Sequence, residues 1–136
     1  MTAHPLLDEW ISSGARLLSA ERIPLRGSLD AERALRLVLT FDCGRLRLES
    51  GDEGDALTID PSAEGEAPVA GLLSADEDEP WWALLGHALC AAAIDLDDAG
   101  RATRLRLQFR PHGENPHFVR VAARDGQLRV TPAGEL

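Results

Sequence analysis

The chain contains no lysine and no tyrosine. Each of its 14 basic side chains is therefore an arginine, and no phenol is available for acid, base or nucleophilic work. Cysteine is scarce. Cys43 and Cys90 stand far apart without a C-x-x-C pair, so both read as small hydrophobes rather than as a redox or metal motif, and no disulfide is expected. Long apolar runs are missing too. The longest, Ala88 to Ile94, is far short of a bilayer span, which excludes a membrane-crossing helix at that point. The opening "MTAHPLLDEW" has no basic stretch followed by an apolar one, so no signal peptide is expected and a soluble, cytoplasmic protein is. No P-loop, G-x-G-x-x-G or G-x-S-x-G signature occurs. No enzyme role is assigned, no cofactor is expected and no metal is expected.

What is present bounds the class. The 136 residues fit one domain, 1–136, and a hydrophobic content of 44% is enough for a real core. Net charge is −9, and the signs are segregated. Between Leu48 and Gly100 there are fourteen acids and no base; the rest of the chain holds all the arginines and nine acids. Either the two parts neutralise each other in the fold, or the middle forms an acidic surface that attracts a basic partner. Phosphate repulsion argues against nucleic acid.

The pass along the chain predicts an α+β fold. Leu6, Leu7, Trp10, Ile11, Leu17 and Leu18 recur at helical spacing, predicting a helix over 1–20. The period then becomes two. "RALRLVLTF", "GRLRLES" and "DALTID" predict a three-stranded meander over 33–60. An acidic loop over 61–79 follows, then a short Trp helix over 80–86. A second set of strands over 88–131 includes the alternating "RATRLRLQFR" and a hairpin around "RDG". The architecture expected is an N-terminal helix packed on an antiparallel, meander-rich sheet, with a short helix between the sheet halves.

Arg36, Arg45, Arg47, Arg104, Arg106, Arg120 and Arg129 alternate with apolar strand residues. Their neighbours face the core, so the guanidinium groups face outward. That face is either the wet side of a sheet with cross-strand ion pairs or an anion-binding surface.

In "SADEDEPWWALLGH", Ser74 to Glu77 fit a capping box and Pro80 fits a first turn. Gly86 fits a left-handed C-cap. Trp81, Leu84 and Leu85 share one helical face. Adjacent residues point about 100° apart on a helix, so both indoles do not enter one pocket. The expectation is that Trp81 is buried and Trp82 part exposed. An exposed indole beside acids has the composition of an interface anchor with a charged rim. The candidate partner site is Asp76, Glu77, Asp78, Glu79 and Trp82.

The run Trp82-x-x-Leu85-Gly86-His87-x-Leu89, then Leu96-Asp97-x-x-Gly100, then Leu105-x-Leu107-x-Phe109 resembles a family of small uncharacterised bacterial proteins. Its pattern is Trp-x-x-hydrophobic-Ile-Gly-Lys, then Asn-x-x-Gly-Tyr-x-Asp, then an alternating strand ending in Phe. The resemblance covers about thirty residues. His87, Asp97, Arg101 and Thr103 stand where that pattern has Lys, Asn, Tyr and Asp. It implies a mixed α/β fold and no known reaction. By class, the size and acidity are similar to those of immunity proteins that neutralise contact toxins.

Other clusters offer weaker chemistry. His112, Glu114 and His117 share a loop but not a zinc spacing. "GDEGD" lacks the register of a calcium loop. Asp95, Asp97 and Asp98 form a carboxylate cluster with an imaginable acid/base role, but they abut a predicted hairpin turn, where Asp is favoured for backbone reasons. Three functions are thus weighed. The first is a non-enzymatic acidic domain that binds a basic protein partner, in the manner of an immunity or regulatory protein. The second is a structural domain that self-associates as a homodimer. The third is a cryptic enzyme using Asp95, Asp97 and His112. The first requires the acidic stretch to be exposed and unpaired with the arginines; the third requires a concave pocket.

Overall fold

Helix α1 runs Pro5–Ser13 and stops at Gly14, whose φ of +73° glycine adopts without steric cost. The Gly14 N–H donates to the Ile11 carbonyl at 3.2 Å and the Ala15 N–H to the Trp10 carbonyl at 2.9 Å, the paired bonds of a Schellman stop. The helix predicted over 1–20 is therefore corrected. Its second half is strand β1, Leu17–Ile23, and the two leucines that seemed to continue the helical spacing belong to it. Leu17 is buried, while Leu18 lies in a register shift and is exposed.

The computed structural model describes residues 5–24, 33–50, 56–62, 73–77, 81–110 and 117–133. After β1 come β2 (Arg33–Ala34), β3 (Arg36–Phe41), β4 (Gly44–Ser50), β5 (Leu57–Ser62) and β6 (Leu73–Ser74). Then follow α2 (Trp81–Leu84), β7 (Ala88–Leu96), β8 (Ala102–Arg110), β9 (His117–Arg124) and β10 (Gln127–Ala133).

The fold is mostly antiparallel strands with two helices, but the single sheet expected is two. The first has the order β5-β4-β3-β1-β6 and the second β2-β10-β9-β8-β7. The reason lies in the segment read as one strand over 33–41. It breaks at Leu35, so that Arg33 and Ala34 pair with Arg129 and Leu128 in the second sheet while Arg36–Phe41 pair within the first. The meander over 33–60 is otherwise present as β3-β4-β5, and the later strands as β7 to β10. Of the loop expected over 61–79, β5 takes the first two residues and Leu73–Ser74 form an edge strand on β1; residues 63–72 lie outside the described set.

Alternation sends one side chain of each strand pair between the sheets. Leu37, Leu39, Leu46 and Leu48 of the first sheet join Leu105, Leu107, Val119, Val121, Leu128 and Val130 of the second in one core. Burying each of these contributes about 1.5–3 kcal/mol. At one end α1 packs on β7 and inserts Trp10 against Phe41, ring centroids 5.3 Å apart. Phe41 lies parallel to Phe109 of the opposite sheet at 6.3 Å.

The predicted outward arginines do face outward, on two different sheets. On the first, Arg36 faces Glu49 and Arg47 faces Asp60 across neighbouring strands, and each pair is ion-paired. On the second, Arg104 and Arg106 share Asp95.

Candidate partner-binding site

The acidic start of the tryptophan segment is built as an edge cover. Ala75 is buried and its N–H donates to the Ala20 carbonyl at 2.7 Å. Asp76 Oδ1 accepts the Ala20 N–H, also at 2.7 Å. Both backbone groups of Ala20 on the open edge of β1 are thus satisfied, one of them by a carboxylate. Asp76 has a structural task. Glu77 is exposed. Asp78 and Glu79, proposed from sequence as rim residues, lie outside the described set, as does Pro80.

The capping-box reading is corrected. Helix α2 begins at Trp81, and Ser74 lies seven positions earlier in β6. Its hydroxyl accepts the Asp76 N–H at 3.3 Å, a local turn bond rather than a helix cap. The other features agree with expectation. Trp81 is 0% exposed and Leu84 is buried, Leu85 packs partly on the core, and Gly86 adopts φ +83°. Trp82 is 58% exposed. Among the described residues the buried Trp81 Nε1–H has no hydrogen-bond partner.

The turn after α2 is tied to β1 and, through the His87 ring, to β8, and the start of β7 is tied to Ala15. Gly86 N–H donates to the Leu17 carbonyl at 2.6 Å, Leu17 N–H donates to the His87 carbonyl at 3.1 Å, and Leu89 N–H donates to the Ala15 carbonyl at 2.7 Å. His87 Nδ1 lies 3.0 Å from the Arg110 carbonyl. Trp82 therefore projects from a short element fixed by backbone bonds, not from a free loop. Leu18 and Leu73, 55% and 53% exposed, sit on β1 and on its edge partner β6. The sequence reading missed both. The only signal was two leucine doublets, Leu17-Leu18 and Leu72-Leu73, which a strand cannot bury on one face.

The acid/base candidates come out as structural groups. Burial pushes the Asp95 carboxyl up. The hydrogen bond and charge of Arg104, and then Arg106, more than offset this and hold it below the ordinary value. It stays ionised and has no proton to give at neutral pH. Asp97 organises a turn: Oδ1 accepts the N–H groups of Ala99 and Arg101, both at 2.9 Å, and Oδ2 accepts from the Arg101 guanidinium at 3.0 Å. His112 and Glu114 lie outside the described residues, as do Gly51–Asp55, and of His117 only the backbone is described. Among the described residues no three His, Cys, Asp or Glu side chains converge as metal ligands. Cys43 and Cys90 are both free thiols; burial, then the Asp42 charge, push the Cys43 thiol up.

A cavity of about 340 Å³ lies between the end of α1 and β7, lined by Ile11, Gly14, Leu89, Cys90 and Arg110 among others. It holds neither Asp95 nor Asp97. Among the described residues no helix is long and apolar enough to cross a membrane.

Comparison with models of protein families, with curated proteins and with solved structures found no match.

Proposed function

We propose that the chain is a non-enzymatic protein-binding domain whose docking surface centres on Trp82. The carrying observation is that a large aromatic side chain stands 58% exposed on an element whose following turn is hydrogen-bonded to β1. A rigid exposed indole gives contact area with little ordering entropy, as interface anchors do. The acids that precede it in the sequence, of which Glu77 is exposed, favour a basic partner and would speed its capture. Immunity or regulatory proteins work in this way, and a cytoplasmic setting accords with two free thiols.

A second reading has its own support. Glu49, Asp60, Asp95 and Asp97 are bound by arginines of the same chain, so the condition that the acidic stretch be unpaired fails for these four, and the first reading rests on Trp82 rather than on an acidic field. That favours a structural domain that self-associates as a homodimer, with the exposed apolar side chains as its contact.

The test is affinity capture at low and moderate salt together with the solution mass of the purified chain, each repeated with Trp82→Ala. A basic protein released by salt and absent from the variant supports the first reading. A dimer that becomes a monomer in the variant supports the second. A variant that behaves as the wild type in both measurements removes Trp82 from any interface.

A further inference from the structure

We infer that the outer face of the second sheet is a binding site for a small phosphorylated anion. The two sheets treat arginine differently. On the first, arginines stand opposite carboxylates, Arg36 to Glu49 and Arg47 to Asp60. On the second, arginine stands directly opposite arginine in two places. Arg106 faces Arg120 across β8 and β9, and Arg129 faces Arg33 across β10 and β2. Like charges directly opposite each other on a sheet destabilise the pairing. A surface needing only solubility has a cheap alternative, and the first sheet uses it.

Part of the charge on this face is already partnered, since Arg33 and Arg106 each have an interaction within the chain. Among the described residues, Asp95 is the only carboxylate in these strands on that face, and it is held by Arg104 and Arg106. No ion pair to Arg120, Arg124 or Arg129 occurs among the described residues. The Arg120 Nε–H is buried and has no hydrogen-bond partner among the described residues. In a protein of net charge −9 this is a concentrated positive patch.

The patch also has a shape. A cavity of about 270 Å³ is lined by Arg33, Arg124, Gln127 and Arg129, with Asp125 of the β9–β10 turn at its side. Arg33, Arg124 and Arg129 are exposed, while their chain neighbours Ala34, Ala123, Leu128 and Val130 are in the core. The guanidinium groups therefore present several forked donors to one space. That geometry suits the oxygens of a phosphate group, which guanidinium binds with two parallel hydrogen bonds. An anion bound there also lies beside the Arg129–Arg33 opposition. The size of the cavity fits a small molecule. The overall negative charge opposes a long polyanion such as nucleic acid, whose remaining phosphates would meet the rest of the surface. This site is separate from Trp82 and does not depend on the partner reading.

The test is titration of the full chain with pyrophosphate at constant ionic strength, followed by the Nε–H resonances of the arginines. Saturable shifts at Arg124, Arg129 and Arg120, with Arg36 and Arg47 unmoved, are expected. Affinity should fall at least about tenfold in Arg129→Gln and in Arg124→Gln, the equivalent of about 1.4 kcal/mol. Both are exposed positions, and thermal unfolding of each variant confirms that it is folded. A titration that does not saturate, or shifts spread equally over both sheets, means only general screening and overturns the inference. Unchanged affinity in both variants overturns it as well.

Discussion

Asp95 and Arg104 face each other across β7 and β8, with the carboxylate Oδ2 accepting the guanidinium Nε–H at 2.5 Å. The other oxygen accepts from Arg106 at 3.0 Å. One carboxylate thus ties the edge strand to its neighbour through two arginines.

The pH consequence follows from the sign of the shift. The folded-state value is lowered from the ordinary 3.8. Its contribution is therefore present above the unfolded value and is lost as pH falls through the folded one. Asp95→Asn is expected to lower stability by about 1–2 kcal/mol at pH 7 and to flatten the acid limb of the stability profile. Urea unfolding from pH 7 down to pH 2.5 measures both. An unchanged acid limb in the variant would assign the acid sensitivity to other carboxylates.

The helix stop makes a cleaner test. Nothing lies within 4 Å of where a Cβ at Gly14 would stand, so substitution there meets a conformational penalty and no clash. Gly14→Ala should cost about 1–2 kcal/mol and Gly14→Asn less, since Asn tolerates left-handed backbone. Thermal unfolding of the two variants measures the difference, and equal losses would place the cost elsewhere.

The aromatic contact between sheets should be energetically visible. Phe41 and Phe109 lie parallel with centroids 6.3 Å apart, and Trp10 covers Phe41. Truncating either phenylalanine to alanine should cost about 3–5 kcal/mol. A double-mutant cycle should return a coupling of about 0.5–1.5 kcal/mol. Additive losses would show that the rings are buried side by side without favouring each other.

The two neighbouring indoles should behave oppositely. Trp81→Ala removes a fully buried side chain and should cost about 3–5 kcal/mol, whereas Trp82→Ala should stay within about 0.5 kcal/mol. Acrylamide should quench the fluorescence of Trp82 and spare Trp10 and Trp81. Strong quenching that survives in Trp82→Ala would contradict this assignment.

Local pattern carried the parts of this fold that are themselves local. Alternating leucines and arginines announce β3, β4 and β8, and each pairs with a sequence neighbour. Helix geometry alone separates Trp81 from Trp82. What the pattern hid depends on distant partners. Leu17 and Leu18 extend a helical spacing by coincidence, and only Gly14 and the pairing of β1 with β3 make them strand. The break at Leu35 has no signal in alternation, because it is set by β10, more than ninety residues further on. The task of Asp76 is hidden for the same reason: its partner, the Ala20 N–H, is 56 positions away.

The split at Leu35 also orders events during synthesis. As the chain emerges from its N-terminus, β3, β4 and β5 can pair as soon as Ser62 is clear. Ala34, just before them, has to wait for Leu128. Its edge of the second sheet is sealed only when nearly all of the chain is out, so the finished first meander exposes its apolar face in the meantime. Such exposed intermediates are where aggregation begins and where chaperones bind. Slowing the ribosome within the last thirty codons should therefore harm the yield of folded protein more than slowing it within the first sixty.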